Sequence, residues 1–167
     1  MDNTIGTTPK PCIIRGIPRD VTIPKLLILR GIPGAGKTTL YEHKFASWMR
    51  VSIDDFFTND IGEYRFIRSM IGRAREWCYQ LASLGIAAGR SVVVDNCNRE
   101  LRDFSRYLEI PNAEIKVYRV CGHYHSNKEV PEHVMKKYLH KFKPYDEERL
   151  VQLNFLEDGK SKLLIHK

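Results

Sequence analysis

Little in this chain fits a secreted, membrane-spanning or cysteine-stapled protein. Its 167 residues hold four cysteines, Cys12, Cys78, Cys97 and Cys121, and no C-x-x-C pair. That excludes zinc-ribbon and thioredoxin motifs and makes reduced thiols the expectation, in an intracellular compartment, cytoplasmic or nuclear. Cys121, His123 and His125 alternate along an extended stretch and so share one side, but a fourth zinc ligand is missing. No apolar run approaches the about 20 residues that a spanning helix needs, so no membrane partner is expected. The start, MDNTIGTTPKPCIIRG, lacks a basic region followed by an apolar core, so no secretory signal is expected either. Low-complexity tracts are also lacking.

What is present is an ordinary globular composition, 43% hydrophobic and 28% charged. The length fits one compact domain, and domains of about 150 residues bury roughly two-thirds of their unfolded surface. Net charge is +7 and the pI about 9.3. A basic excess favours an anionic partner such as nucleic acid, nucleotide or an acidic surface; the plainer alternative is a basic domain with no such partner.

Residues 1–23, with Pro9, Pro11 and Pro18, read as an irregular arm, within which Cys12–Ile14 could add a short strand. Residues 24–167 read as the domain. Lys25–Arg30 is an apolar run ending at a glycine, as a buried parallel strand should. A helix is expected from Lys37 to about Trp48, a strand from Met49 to Ile53, and a long helix from about Glu63 to Gly89. Arg90–Asp95 is the clearest buried strand. A helix over Arg99–Glu109 and a strand over Glu114–Val120 follow. Pro131 opens another helix running to about Phe142. A short helix near Glu147–Leu153, a turn at Asp158-Gly159 and a last strand over Lys162–Ile165 complete the reading. Strands alternating with helices imply an α/β sandwich with a mostly parallel sheet covered on both faces. Ligands of such sheets bind at the carboxyl ends of the strands, where the polar motifs of this chain fall.

One short echo stands out. Ile14-Arg-Gly-Ile-Pro18 is nearly repeated by Leu29-Arg-Gly-Ile-Pro33. Only the second copy continues, so that Gly31-Ile-Pro-Gly34-Ala35-Gly36-Lys37-Thr38-Thr39 fits G-x-x-x-x-G-K-[ST]. Its glycines let successive backbone N–H groups converge on phosphate, and the following helix adds the positive end of its dipole. Lys37 reaches the β- and γ-phosphates, and the Thr38 hydroxyl holds Mg²⁺. The cofactors expected are therefore ATP or GTP with Mg²⁺. The first copy has one glycine, no Gly-Lys-Thr, and an acid where amides should converge, so it cannot form this cradle.

A phosphate loop needs a second carboxylate for its metal, and Asp95 at the end of Val92-Val-Val supplies one; the alternative is a helix cap, a part that Asn98 can also take. Asp54 and Asp55 end the second strand. Beside a phosphate loop, such an acid serves as the base for an acceptor hydroxyl; the alternative is a turn or N-cap pair.

Taken in order, RGIPGAGKTT, SIDDFF, VVVDNCN and KEVPEHVMKKY resemble the kinase domain of polynucleotide 5′-hydroxyl kinases and their AAA-type ATP-binding relatives. The resemblance covers roughly Leu26 to Phe142. It implies a P-loop three-layer sandwich with a short lid at about 121–130, and transfer of a γ-phosphoryl group to the 5′-hydroxyl of RNA or DNA. It implies that Lys37 and Thr38 bind nucleotide phosphates and metal, that Asp54 is the general base, and that Asp95 and Asn98 organise the metal, water and acceptor side. Two departures are visible. The lid, Cys121–Glu129, has no arginine where the family carries one, leaving Lys128, His123 or His125 as stand-ins without a bidentate fork. Phe57 stands where the phage members have a basic residue; it can stack on a base or pack in the core.

Basic side chains complete the acceptor reading. Arg65, Arg68 and Arg75 are expected along one helical side, and Lys136, Lys137, Lys141 and Lys143 follow Pro131. Asp55, Lys136 and Lys137 join Asp54 and Asn98 as expected acceptor contacts, with Tyr124, Tyr138 and Phe142 as stacking candidates. The alternative is a solvated helix face over core aromatics. Competing functions are a small-molecule kinase of the same fold and a nucleotide-binding module without efficient transfer. The acceptor, the donor base and the oligomeric state are open at this point.

Overall fold

The computed structural model describes residues 22–122, 131–155 and 161–166. The arm up to residue 21 with its Cys12–Ile14 stretch, the lid residues 123–130 with His123, Tyr124, His125 and Lys128, and the Asp158-Gly159 turn lie outside the described residues.

The described elements run β1 (Lys25–Arg30), α1 (Lys37–Leu40), β2 (Met49–Val51), α2 (Ile53–Phe56), α3 (Ile71–Ala87), β3 (Val92–Asp95), α4 (Leu101–Leu108), β4 (Glu114–Val120), α5 (Glu132–Lys141), β5 (Arg149–Phe155) and β6 (Ser161–His166). One six-stranded sheet has the order β2-β3-β1-β4-β5-β6. β1 lies parallel between β3 and β4, with Leu26 opposite both Val92 and Ile115. β2 and β5 extend the parallel sheet, and β6 pairs antiparallel with β5.

Alternation along the strands builds two cores, one on each face. Leu26, Ile28, Val92, Val94 and Val117 pack with Cys78, Ala82, Phe104 and Tyr107 of α3 and α4. Leu27, Leu29, Val93, Tyr118, Val120 and Val151 pack with Leu40 and, around it, Tyr41, Phe45 and Trp48. Because both faces are covered, Leu26–Leu29 of β1 and Val92–Val94 of β3 are continuous apolar runs rather than alternating in polarity. In α3 the buried residues Ala74, Cys78, Ala82, Gly85 and Ile86 follow helical spacing. Gly85 lets the helix lie close to the sheet: a Cβ there would meet Val92 Cγ2 at 2.8 Å and Met49 Sδ at 2.9 Å.

Four local expectations need correction. The helix after the phosphate loop leaves α geometry at Leu40 and continues as a π turn over Tyr41–Phe45. The second strand stops at Val51; Ser52 caps a one-turn helix, accepting a hydrogen bond from the Asp54 amide at 3.3 Å. The long helix begins at Ile71, not near Glu63. Ahead of it, Thr58 bridges to Tyr64 and a 3₁₀ turn covers Arg68–Met70, so Arg65, Arg68 and Arg75 do not share a helix face. Finally, Glu147–Leu153 contributes to a strand rather than a helix, because Val151 and Leu153 are buried where β5 extends the sheet beside β4. No helix among the described residues is long and apolar enough to cross a membrane.

Candidate active site

The carboxyl ends of β1, β2 and β3 converge on one cavity of about 760 Å³. The loop after β1 turns through Gly34 and Gly36, whose φ values of 80° and 89° favour glycine. Gly31 is needed for another reason: a Cβ there would come within 3.0 Å of the Val120 carbonyl. Its amide donates to the Cys97 carbonyl at 3.1 Å, which ties the loop to the end of β3. Gly36 caps α1, and Gly34, Gly36, Lys37, Thr38 and Thr39 face the cavity. Ala35 packs beneath the loop, 2% exposed. Lys37 Nζ donates to the Gly31 and Ile32 carbonyls at 2.9 and 3.1 Å, so its charge lies over the loop where phosphates would sit.

Thr38 Oγ1 donates to Asp95 Oδ2 at 3.0 Å. Asp95 is only 5% exposed and sits in the cavity wall. The alternative of a helix cap does not hold for it. The cap of α4 is Glu100, in a reciprocal box with Asp103, and neither Asp95 nor Asn98 takes that part. A hydroxyl and a carboxylate meeting at this distance form the hard oxygen set that suits Mg²⁺, and these two residues would hold it.

The same Asp95 oxygen accepts from Arg50 Nε at 2.9 Å. The far end of that guanidinium holds both oxygens of Asp55, at 2.9 and 3.1 Å. Burial pulls the Arg50 pKa down, but Asp95 and Asp55 together outweigh it and hold the side chain firmly cationic. The two adjacent acids therefore differ. Asp55, expected at the acceptor, is exposed and committed to Arg50, whereas Asp54 lines the cavity. Tyr64 lies beside the Asp54 carboxylate in the cavity lining; burial and this negative neighbour raise the phenol pKa. Asn96 Oδ1 accepts the Ile53 amide at 2.8 Å and fixes α2 against the end of β3.

Asn98 also lines the cavity, but its amide nitrogen donates to the Leu29 carbonyl at 2.8 Å and it is 5% exposed. Its backbone sits at φ 43°, a left-handed conformation that asparagine tolerates. Lys136 and Lys137 are exposed on α5 and do not line the cavity, and Lys136 pairs with Glu132 at 2.8 Å. Phe57 is core, 6% exposed. Phe142 packs against the Arg30 guanidinium at 4.8 Å, and Tyr138, which does face the cavity, lies under Arg99 at 4.8 Å.

Arg50, Tyr64, Asn96 and Arg99 were missed as cavity residues by the sequence reading. Arg50 left a usable signal, since a charged residue inside the short strand Met49-Arg-Val51 needs a partner. Tyr64 left none, because its place depends on a loop bridge.

A family model described as "AAA domain" matches residues 26–123. The chain belongs to this AAA domain family. The match takes in the phosphate loop, both acids and the β3 end. Human NEDD4-binding protein 2 is 32% identical over 90 residues, which is 51% of this chain but 5% of that protein. In the structure of the Pnkp1/Rnl/Hen1 RNA repair complex, one chain aligns with 75% of this one at TM-score 0.58 and 22% identity. The match covers 49% of that chain, so this protein spans about half of it. A gluconokinase from Sinorhizobium meliloti aligns over 78% of this chain and 83% of its own, at TM-score 0.54 and 13% identity. The six-stranded, mostly parallel sheet is the P-loop kinase fold.

Proposed function

We propose that this protein transfers the γ-phosphoryl group of ATP or GTP to a hydroxyl, and that the hydroxyl is the 5′ end of an RNA or DNA strand. The observation that carries the reading is the division between the paired acids. Asp54 opens on the cavity shared by Lys37, Thr38 and Asp95, while Asp55 is turned to Arg50. A nucleotide hydrolase has no special need for a carboxylate on the acceptor side; a kinase needs one.

In this reading the loop amides and Lys37 hold the β- and γ-phosphates. Thr38 and Asp95 would hold Mg²⁺, which would supply neutralising charge. The acceptor oxygen forms its bond to the γ-phosphorus as the bond to the β-phosphate oxygen breaks. Asp54 takes the hydroxyl proton, and the nucleoside diphosphate leaves. Tyr64 keeps the Asp54 carboxylate oriented. Arg75 and Arg99, both lining the cavity, favour an anionic acceptor, and Lys137 and Lys141 are exposed to meet a longer strand. The part of the absent lid arginine falls to Lys128. The likeness to a chain of an RNA repair complex supports the polynucleotide acceptor.

The fold likeness to a gluconokinase favours a second reading, a small-molecule kinase. The deciding experiment offers labelled γ-phosphate with 5′-OH RNA, 5′-OH DNA and a panel of small polyhydroxy compounds. Label on either oligonucleotide supports the proposal. Label on a small compound alone replaces it with the second reading, and nucleotide binding without transfer leaves a binding module.

A further inference from the structure

The segment between α2 and α3 carries aromatic side chains at the mouth of the cavity. Tyr64 is 48% exposed and Phe66 51%, yet both line the same cavity as Asp54. They are not loosely placed. Thr58 bridges to Tyr64, and the Arg65 amide donates to the Phe57 carbonyl at 2.8 Å. The Phe66 ring meets the buried Phe57 edge-on at 5.0 Å, and Phe57 in turn meets Phe56 at 5.2 Å. A half-exposed ring on a rigid aromatic support leaves apolar surface in water, which is costly unless a ligand covers it.

The charges of the same segment point the same way. Arg30, Arg50, Arg75, Arg102, Arg106 and Arg119 are each paired with a carboxylate. Arg65 and Arg68 are exposed, and neither side chain has a hydrogen bond or ion pair among the described residues. Aromatic faces in a cavity that Arg75 and Arg99 also line, with the unpaired Arg65 and Arg68 in the same segment, suit a ligand that is planar and anionic by turns, which describes a single-stranded polynucleotide.

We propose that Tyr64 and Phe66 seat the first base of a polynucleotide acceptor, with Arg65 and Arg68 toward its phosphates. This rests on the phosphotransferase reading above and adds how the acceptor is recognised. Tyr64, Phe66 and Asp54 line one cavity, so a base stacked on this platform has its own nucleoside's 5′-hydroxyl in the cavity that Asp54 faces. Base–aromatic stacking tolerates every base, so recognition here would be of strand polarity and base presence, not of sequence.

The test compares wild type with Phe66→Leu, a substitution that keeps apolar packing on Phe57 and removes the π face. The acceptors are a short 5′-OH oligonucleotide and the same strand with an abasic first position. Stacking of a 2-aminopurine placed first is read by fluorescence quenching without any transfer step, and nucleotide affinity controls for folding. Wild type should prefer the base over the abasic strand by roughly five- to a hundred-fold in acceptor KM and quench 2-aminopurine. Phe66→Leu should lose most of both effects while treating the abasic strand as wild type does. Equal use of the two strands by wild type, without quenching, overturns the platform and leaves the 5′-kinase reading standing. Transfer confined to small hydroxyl compounds overturns both.

Discussion

Removing the charge of Arg30 should cost the fold about 3 kcal/mol. Arg30 ends β1 and is 0% exposed. Its guanidinium donates to the carbonyls of Asn98 at 2.8 Å, Arg99 at 3.0 Å and Lys143 at 2.7 Å, and it pairs with Glu148. The rings of Phe104 and Phe142 each lie 4.8 Å from it. Burial lowers its pKa and Glu148 pushes the other way, but a guanidinium stays protonated. The side chain thus ties the strand before the phosphate loop to the β3–α4 loop and to the chain beyond α5. Arg30→Met keeps much of the volume and strips one partner from a buried ion pair, a change that typically costs about 3–5 kcal/mol. Glu148 keeps Arg119 at 3.6 Å and the Tyr145 amide at 3.4 Å, which argues for the lower end. For a domain of this size that is a fall in Tm of roughly 6–12 °C. Denaturant unfolding measures it, and Glu148→Gln in the same chain should recover about 1 kcal/mol or more, because the stranded charge is gone. An Arg30→Met variant within about 1 kcal/mol of wild type, or a double variant no better than the single, would refute the reasoning.

Arg50→Gln should tighten divalent-cation binding by roughly three- to tenfold, since it removes a positive charge from the metal-side carboxylate Asp95; Mn²⁺ titration of the nucleotide complex by electron paramagnetic resonance reads this, and a weaker site would show instead that Arg50 positions Asp95. Stability should fall above pH 9. Burial pushes the Cys78 thiol up to about 12 and Tyr107 higher as well, so the folded state keeps protons that the unfolded chain releases. The contribution is whole below the unfolded pKa and is lost as pH rises toward the folded one, at up to about 1.4 kcal/mol per pH unit for each group. Unfolding curves at pH 8 and 10.5 check it, and Cys78→Ala should shallow the decline.

The parts of the fold that were legible in sequence are those where local pattern and tertiary environment agree. Lys25–Arg30 and Glu114–Val120 have the bounds expected, the first because a continuous apolar run ending at a glycine suits a buried parallel strand, the second because Ile115, Val117, Tyr118 and Val120 favour a strand between turn residues. The helix after Pro131 was readable from its cap position. Residues 147–153 were misread because Glu and Leu there suit a helix, and only the neighbouring β4 makes a strand of Val151 and Leu153. Residues 63–70 carried arginines at helical spacing, but the Thr58–Tyr64 bridge breaks the helix ahead of Ile71. At the site, the phosphate loop, the Asp54-Asp55 pair and Asp95 were visible at strand ends, and the choice of Asp54 within the pair came from the family resemblance. Arg50 and Tyr64 were not visible, since each is placed by a contact 45 or 10 residues away, to Asp95 and to Asp54.

The most direct test is the Asp54→Asn variant, followed by nucleotide affinity and by transfer of labelled γ-phosphate to a 5′-OH oligonucleotide. The substitution removes the carboxylate proposed to accept the proton and leaves the phosphate loop, Thr38 and Asp95 in place. Nucleotide affinity should stay within a few-fold of wild type while turnover falls by about 10² or more, the usual scale for a lost general base. Full turnover in Asp54→Asn, or its loss in Asp55→Asn alone, would contradict the account.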